Sequence, residues 1–389
     1  MPYLDIQPAS FTDQTTASGA HLSAGRRPRR KPGTWLALAL AVALAGVAGG
    51  VIGASTSGDP APVVLDQTGT GSIVAAQQAI DLAASPNLDA VAIGDAVIPS
   101  IVTVEIGSNA NGSFAKIGSG SGVVYDTAGH IVTNDHVAGA ASAARVVLSD
   151  GRIYDADLVG TDPLTDLAVL HISATGLQPI TIGSTAGLDV GSPAIAVGSP
   201  LGLDGGPSLS VGVISALGRE VQTDAETILY GMLQADAPIT SGSSGGSLVD
   251  EGGALIGITT AVGVSNIGVE GIGFATPVEV VQRVADEIIA TGSATHALIG
   301  ITGTTAYEPT DDGGVMPIGV TVMSVLSDSP AAAAGLVEGD VITGIEGVPV
   351  ATMDALITEL RRTGATRPLE LSLADRGPIT IVPTTLEGS

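Results

Sequence analysis

Short apolar runs separated by glycine-rich turns fill the chain from about residue 90 onward. Two groups of about six such runs lie in 101–172 and 194–275. Aromatic residues make up only 2% of the chain, so Val, Ile, Leu and Ala must fill the core, which favours strands. Two groups of short strands predict two small antiparallel barrels. The spacing of apolar residues then predicts a helix over 277–291.

The charge of the chain is negative and unevenly distributed. The net charge is −25, but residues 1–54 contribute +3, from five basic and two acidic side chains, which leaves −28 for residues 55–389. A surface this acidic repels nucleic acid and anionic lipid. The charge therefore excludes a nucleic-acid function. The chain has no cysteine, so disulfides contribute nothing to its stability.

The uncharged segment Trp35–Ala54 is long enough to cross a bilayer as a helix. The basic cluster Arg26–Lys31 lies before it, and the positive-inside rule keeps this cluster in the cytoplasm. We therefore expect a single-pass protein of the cell membrane, with a cytoplasmic tail (1–33), a transmembrane helix (34–54), a linker (55–88) and an extracytoplasmic body. A cleaved signal peptide is the alternative, but the long tail favours an uncleaved anchor.

The motif Gly242-Ser243-Ser244-Gly245-Gly246 has the form Gly-x-Ser-Gly-Gly. Glycines beside a serine let a substrate carbonyl approach the hydroxyl, and they leave backbone N–H groups to hold an oxyanion. Ser243 and Ser244 compete for the role of nucleophile. Because the Gly-Gly pair must follow the nucleophile directly, we expect it to be Ser244. The N–H groups of Gly242 and Ser244 are then the oxyanion donors.

Two upstream residues provide a base and a carboxylate that could activate this serine. His136 follows the apolar strand Ile131–Thr133, and Asp166 precedes the apolar run Leu167–Leu170. A neutral imidazole can accept the serine proton, and a carboxylate can orient the imidazole. The order His, Asp, Ser along the chain is that of chymotrypsin-type enzymes. Asp162 is the rival carboxylate. The other histidines are expected to be structural or surface residues: His21, His130, His171 and His296.

Residues 90–293 resemble the protease domain of the HtrA/Deg family, bacterial envelope serine proteases of the trypsin-like fold. The matching segments are Gly118–Val124, Ile131–Val137, Asp162–Leu170, Ala196–Gly202, Val213–Arg219, Gln234–Ala237, Gly242–Leu248 and Ile272–Pro277. The resemblance implies a mainly β, double-barrel serine endopeptidase domain over 89–293, and its register favours Asp166 over Asp162. The family usually has Asn at Ser243 and Pro at Ser247, and the usual Asn-Pro before the nucleophile is also missing. These differences concern the oxyanion turn and remove no catalytic side chain.

Residues 297–387 resemble a PDZ domain, through the segments Ser329–Ala331, Gly335-Leu336 and Gly339–Ile342. Such domains capture a chain end by adding it as a strand to a sheet edge. A structural cap without a ligand is the alternative. The helix beside the groove is expected over 353–362. The carboxylate-binding loop and the following strand are expected at Leu298, Ile299, Gly300 and Ile301.

The family register also implies which residues line the pocket for the residue before the scissile bond. Those walls are Ile239, Ile272, Gly273 and Phe274. None of them is acidic, so a substrate Lys or Arg would be buried without a partner, which is costly. Branched walls also leave little room for a large ring. We therefore expect cleavage after Val, Ala, Ile or Leu.

Three functions are compatible with the sequence. The first is a membrane-tethered endoprotease for unfolded or selected envelope proteins in stress-related quality control, regulated or fed by its PDZ domain. The others are a chaperone or scaffold with little proteolysis, and a signalling protease with one substrate. The intact set His136, Asp166 and Ser244 favours a protease. No cluster has metal-ligand spacing, so neither metal nor cofactor is expected, and the family implies a homotrimer.

Overall fold

The computed structural model describes residues 88–110, 113–199, 206–223, 227–240, 242–260, 272–365 and 367–387. These residues belong to a single structural unit, 81–389. The predicted cytoplasmic tail, the transmembrane segment Trp35–Ala54 and nearly all of the linker lie outside them. Within the described ranges, no helix combines the length and the apolar character that a membrane span requires.

Six antiparallel strands close the first barrel in the order β1-β2-β3-β6-β5-β4. Its interior holds branched side chains such as Val102, Val104 and Ile131, none of them more than 1% exposed. The strands are β1 (Ile101–Ala110), β2 (Ser113–Val124), β3 (His130–Thr133), β4 (Ala143–Val147), β5 (Ile153–Asp162) and β6 (Leu167–His171).

The second barrel closes in the order β10-β11-β12-β9-β8-β7 and has its own apolar interior. Its longest strand, β8, has 15 residues, because three register shifts carry it past Gly218, which has a positive φ. The strands are β7 (Pro193–Gly198), β8 (Ser208–Gln222), β9 (Ile228–Ala235), β10 (Ser247–Val249), β11 (Leu255–Thr260) and β12 (Gly273–Pro277).

Two helices and the facing sides of both barrels share one apolar core. Helix α1 (Ala90–Val97) begins at Asp89, whose side chain accepts a hydrogen bond from the N–H of Ala92. A one-turn helix, α2 (Asp135–Ala138), follows β3. Helix α3 (Val278–Thr291) buries one face in the shared core and ends at Gly292 in a left-handed conformation. The predicted helix and the two predicted barrels are confirmed.

The C-terminal part is a separate small β-structure with its own core. Its main sheet has the order β14-β15-β16-β18-β19, so β14 is an end strand of that sheet, and β17 pairs with β16. A second, two-stranded sheet joins β13 to β20. The helices are α4 (Pro330–Ala333) and α5 (Met353–Thr363). The strands are β13 (Thr295–Leu298), β14 (Ile301–Pro309), β15 (Val315–Val325), β16 (Val341–Ile345), β17 (Val348–Pro349), β18 (Leu369–Leu373), β19 (Ile379–Ile381) and β20 (Thr384–Glu387).

Candidate active site

His136 and Asp166 lie in direct contact at the edge of the first barrel. His136 stands on α2, and its Nδ1 lies 2.8 and 2.9 Å from the two carboxylate oxygens of Asp166. The backbone N–H of His136 also donates to Asp166 Oδ1 at 3.0 Å. The carboxylate is buried, whereas 47% of the His136 side chain is exposed. This geometry holds the imidazole at Nδ1 and leaves Nε2 available for chemistry.

The charge around His136 favours the imidazolium form. Burial alone would lower its pKa, but the hydrogen bond and the charge of Asp166, together with the charge of Asp135, outweigh burial and raise it. Burial and the charges of Asp166 and Asp162 in turn raise the pKa of Asp135. The site therefore stabilises the protonated histidine that proton transfer from a serine would create.

The carboxylate of Asp166 is presented by a tight turn, Asp162–Asp166, here called the Asp166 turn. Asp166 has φ = 54°, a left-handed conformation that is uncommon for a residue other than glycine. The N–H of Thr165 donates to the carbonyl of Asp162 at 3.2 Å. Buried Asn134 donates to the carbonyl of Asp166 at 2.8 Å and to Thr260 Oγ1 at 3.1 Å. Contacts from both barrels thus hold the strained residue.

Asp162, the rival carboxylate, faces away from His136. Both of its oxygens lie 2.9 Å from His296 Nε2, and it is fully buried. The family register favoured Asp166, and in the structure the reversal of the chain in the turn directs the two aspartates to different histidines.

Ser244 lies in the segment Gly242–Gly246, here called the Ser244 turn, and it is 5% exposed. Two carbonyls of this turn accept hydrogen bonds from hydroxyl groups. Ser121 Oγ donates to the carbonyl of Gly242, and Thr259 Oγ1 donates to that of Ser243, both at 2.7 Å. The N–H of Gly246 also donates to the Ser243 carbonyl, at 2.9 Å. Because a trans peptide is planar, the fixed Ser243 carbonyl also fixes the direction of the Ser244 N–H.

Strand β2 lies between the Ser244 turn and α2. The N–H of Ser121 donates to the Ser244 carbonyl at 2.8 Å. A Cβ added to Gly120 would lie 2.7 Å from Val137 Cγ1 and 3.2 Å from the Ser244 carbonyl oxygen. The glycines of 118–122 therefore let the helix that carries His136 and the turn that carries Ser244 approach the same strand.

Three residues that hold this site escaped the sequence reasoning: Ser121, Thr259 and Asn134. They are at most 1% exposed, and they act through backbone carbonyls far away in the chain. Ser121 and Asn134 lie in segments that match the family, but the match assigns them no role. Short-range patterns cannot report hydrogen bonds between residues more than a hundred positions apart, such as that from Ser121 to Gly242.

The residues expected to line the specificity pocket divide into two sets. Ile239 lies across Gly273, since a Cβ on Gly273 would be 2.4 Å from Ile239 Cδ1. Ile272 is 40% exposed beside them. Phe274 instead packs with the cluster formed by Val221, Leu229 and Met232. The structure thus brings Ile239 and Gly273 together and directs the Phe274 ring elsewhere, because successive side chains of a strand alternate between its faces.

The residues expected to bind a chain end lie between β13 and β14. Leu298 is 43% exposed, whereas Ile299 is buried in the core of the C-terminal part. Gly300 has φ = 81°, and its missing Cβ leaves room for Ser329. Ile301 begins the end strand β14, which α5 flanks: the N–H of Met353 donates to Thr305 Oγ1. This edge has the geometry that strand addition of a peptide needs.

In the described part of the chain, no group of acidic or histidine side chains could hold a metal ion.

Comparison with known proteins gives a consistent result. Residues 120–258 match the family model of a trypsin-like peptidase domain, and residues 297–374 match that of a PDZ domain. The serine protease PepD of Mycobacterium tuberculosis is 33% identical over 371 residues, which cover 89% of this chain and 76% of PepD. The periplasmic serine endoprotease DegP of Escherichia coli is 37% identical over 276 residues, or 70% of this chain and 57% of DegP.

A solved structure agrees with these sequence relatives. The structure of the HtrA-type protease AlgW with a decapeptide is similar, with a TM-score of 0.57 and 28% identity over 76% of this chain and 98% of that chain. The similarity to PepD spans most of both proteins and includes both domains. The chain is therefore a serine endopeptidase and belongs to the HtrA/Deg family.

Proposed function

We propose that the chain cleaves peptide bonds by an acyl-enzyme mechanism in which Ser244 attacks and His136 transfers the proton. The observation that supports this is the pairing of His136 with buried Asp166, next to the Ser244 turn across β2. As Ser244 Oγ bonds to the substrate carbonyl carbon, His136 Nε2 takes its proton, and the N–H groups of Gly242 and Ser244 stabilise the oxyanion. His136 then protonates the leaving amine. Water hydrolyses the acyl-enzyme by the same steps.

We propose unfolded or selected envelope proteins as substrates, in stress-related quality control, with chain ends captured at the PDZ domain. Strand β14 is an end strand of its sheet, and Leu298–Ile301 lead into its first residue. This arrangement supports capture by strand addition. Ile239 across Gly273 supports a shallow aliphatic pocket and cleavage after small or branched aliphatic residues.

We also propose that Trp35–Ala54 tethers the protein to the cell membrane, with both domains outside the cytoplasm. The basic cluster before this segment supports that orientation. Assembly into a homotrimer is part of the proposal, on the strength of the family alone.

The mechanism is tested by comparing two adjacent serine variants of the full chain. Ser244→Ala should lose peptide hydrolysis and labelling by a serine-directed phosphonate, because the attacking oxygen is gone. Ser243→Ala is the matched control and should keep measurable activity, because it changes the same turn without removing the nucleophile. Hydrolysis by Ser244→Ala together with loss of activity in Ser243→Ala would show that the wrong serine is assigned.

A further inference from the structure

The Asp166 turn is also held on the side away from His136, by a cation of the PDZ domain. Arg361, on α5, donates from Nη1 to the carbonyl of Leu164 at 3.0 Å. Its guanidinium lies over the ring of Tyr230 on β9, 4.8 Å from the ring centre. Leu164 is two residues before Asp166, so the PDZ helix reaches the segment that presents the carboxylate.

Helix α5 packs directly on the second barrel, which keeps Arg361 in place. A Cβ added to Gly231 on β9 would lie 2.4 Å from Thr358 Cγ2, so the helix lies against the backbone of the strand. Burial lowers the pKa of Arg361, although the neighbouring Tyr230 and Asp162 act to raise it. A buried arginine is suited to fixing the geometry of its partners, because its planar guanidinium loses little conformational entropy when it forms hydrogen bonds.

The strand that begins the PDZ domain holds the same turn at a second point. His296, on β13, binds both oxygens of Asp162, and both residues are buried. Asp162 Oδ2 also accepts from Thr165 Oγ1 at 2.5 Å. Hydrogen bonds from His296 and Arg361 therefore fix the first and third residues of the Asp166 turn, and Thr165 directly precedes Asp166.

We propose that Arg361 and His296 are positioning residues of the protease site, through which the PDZ domain completes the turn that carries the catalytic aspartate. Asp166 adopts a left-handed conformation that persists only where surrounding contacts over-determine it. Loss of either contact lets the turn relax and the carboxylate rotate away from His136 Nδ1. The inference rests on the proposed mechanism, in which Asp166 orients His136.

The test uses the full chain with Arg361→Met, which keeps the apolar stem and removes the guanidinium. Arg362→Met is the matched control, because Arg362 lies on the same helix and bonds to Glu359 within it. We expect kcat of Arg361→Met to fall about 10-fold, with KM within about 2-fold, which is far less than the ~10⁴-fold loss on neutralising a triad carboxylate. Arg362→Met should match the wild type.

The pH profile separates positioning from simple destabilisation. Asp166 raises the pKa of His136, so a displaced Asp166 should move the acid limb of kcat/KM in Arg361→Met to lower pH. Partial unfolding would lower activity at every pH without moving the limb. In an Asp166→Asn background, Arg361→Met should have no further effect on kcat, because both changes act through the same carboxylate.

Two further variants keep the test decisive. Arg361→Gln keeps an N–H donor, so its kcat should lie between those of wild type and Arg361→Met. This variant also keeps the test possible if Arg361→Met folds poorly. His296→Leu should shift the acid limb in the same direction as Arg361→Met. The inference is overturned if Arg361→Gln and Arg361→Met both have the kcat of the wild type and an unmoved acid limb of kcat/KM. It is also overturned if the effects of Arg361→Met and Asp166→Asn on kcat are fully additive. Ser244→Ala tests the mechanism separately, so an inactive Ser244→Ala beside an unaffected Arg361→Met overturns the positioning role alone.

Discussion

Replacing Thr259 by valine should slow hydrolysis without weakening substrate binding. Valine keeps the shape of threonine but removes the hydroxyl that donates to the Ser243 carbonyl at 2.7 Å. That carbonyl belongs to the peptide that joins Ser243 to Ser244, and the N–H of this peptide is the proposed oxyanion donor of Ser244. Because the peptide is planar and trans, a carbonyl that is free to turn carries the N–H with it. The variant therefore loosens one of the two oxyanion donors and leaves the substrate contacts in place.

The expected fall in kcat depends on the hydrogen bond that the Ser243 carbonyl keeps in the variant. Complete loss of an oxyanion donor costs ~10²–10³ in kcat. In Thr259→Val the N–H of Gly246 still donates to the same carbonyl at 2.9 Å, so the Ser244 N–H is loosened and not lost. We expect kcat to fall about 5–50-fold, which corresponds to about 1–2 kcal/mol of transition-state stabilisation. KM should stay within about 2-fold, because the bond acts mainly in the transition state.

The assay compares turnover with binding of a tetrahedral analogue. For wild type, Thr259→Val and Thr259→Ser, we would measure kcat and KM on a peptide substrate and Ki for a peptide boronate, whose adduct places an oxygen in the oxyanion position. Thr259→Val should raise Ki by about the factor by which it lowers kcat. Thr259→Ser keeps the hydroxyl and is the control. Wild-type kcat and Ki in a folded Thr259→Val would refute the reasoning.

The remaining predictions concern pH, location and cleavage sites. The acid limb of kcat/KM should lie above the ordinary imidazole pKa, because Asp166 raises the pKa of His136, and Asp166→Asn should move the limb to lower pH; a limb that does not move would contradict this. A reporter fused after Gly58 should be active only if it works outside the cytoplasm, whereas mature protein beginning near residue 55 would indicate a cleaved signal. Mass-spectrometric mapping of cuts in unfolded casein should show a majority after Val, Ala, Ile or Leu; a majority after Lys, Arg or Phe would overturn the aliphatic pocket.

The strands could be predicted because their signals are local. Strand β3 runs from His130 to Thr133 and contains the predicted apolar strand Ile131–Thr133, since an apolar run between turn residues determines it. The full extents of β5 and β8 could not be predicted, because pairing with a neighbouring strand extends them through residues of weak propensity. The direction of the Phe274 side chain follows the alternation along β12, whereas the cluster that the ring contacts could not be predicted, because its residues are distant in sequence.

Sequence alone determined the class of this protein: two barrels, a PDZ domain and a His, Asp, Ser series in chymotrypsin order. The two barrels follow from periodicity and glycine placement, the His, Asp, Ser series follows from short motifs, and the PDZ domain follows from the resemblance to a known family. Tertiary structure alone decided that Asp162 pairs with His296, because a left-handed residue in the turn directs Asp162 and Asp166 to different partners. Tertiary structure alone also decided that Arg361 contacts Leu164, 197 positions away. Such a contact forms only when the folded chain closes a long loop, so local sequence composition does not indicate it.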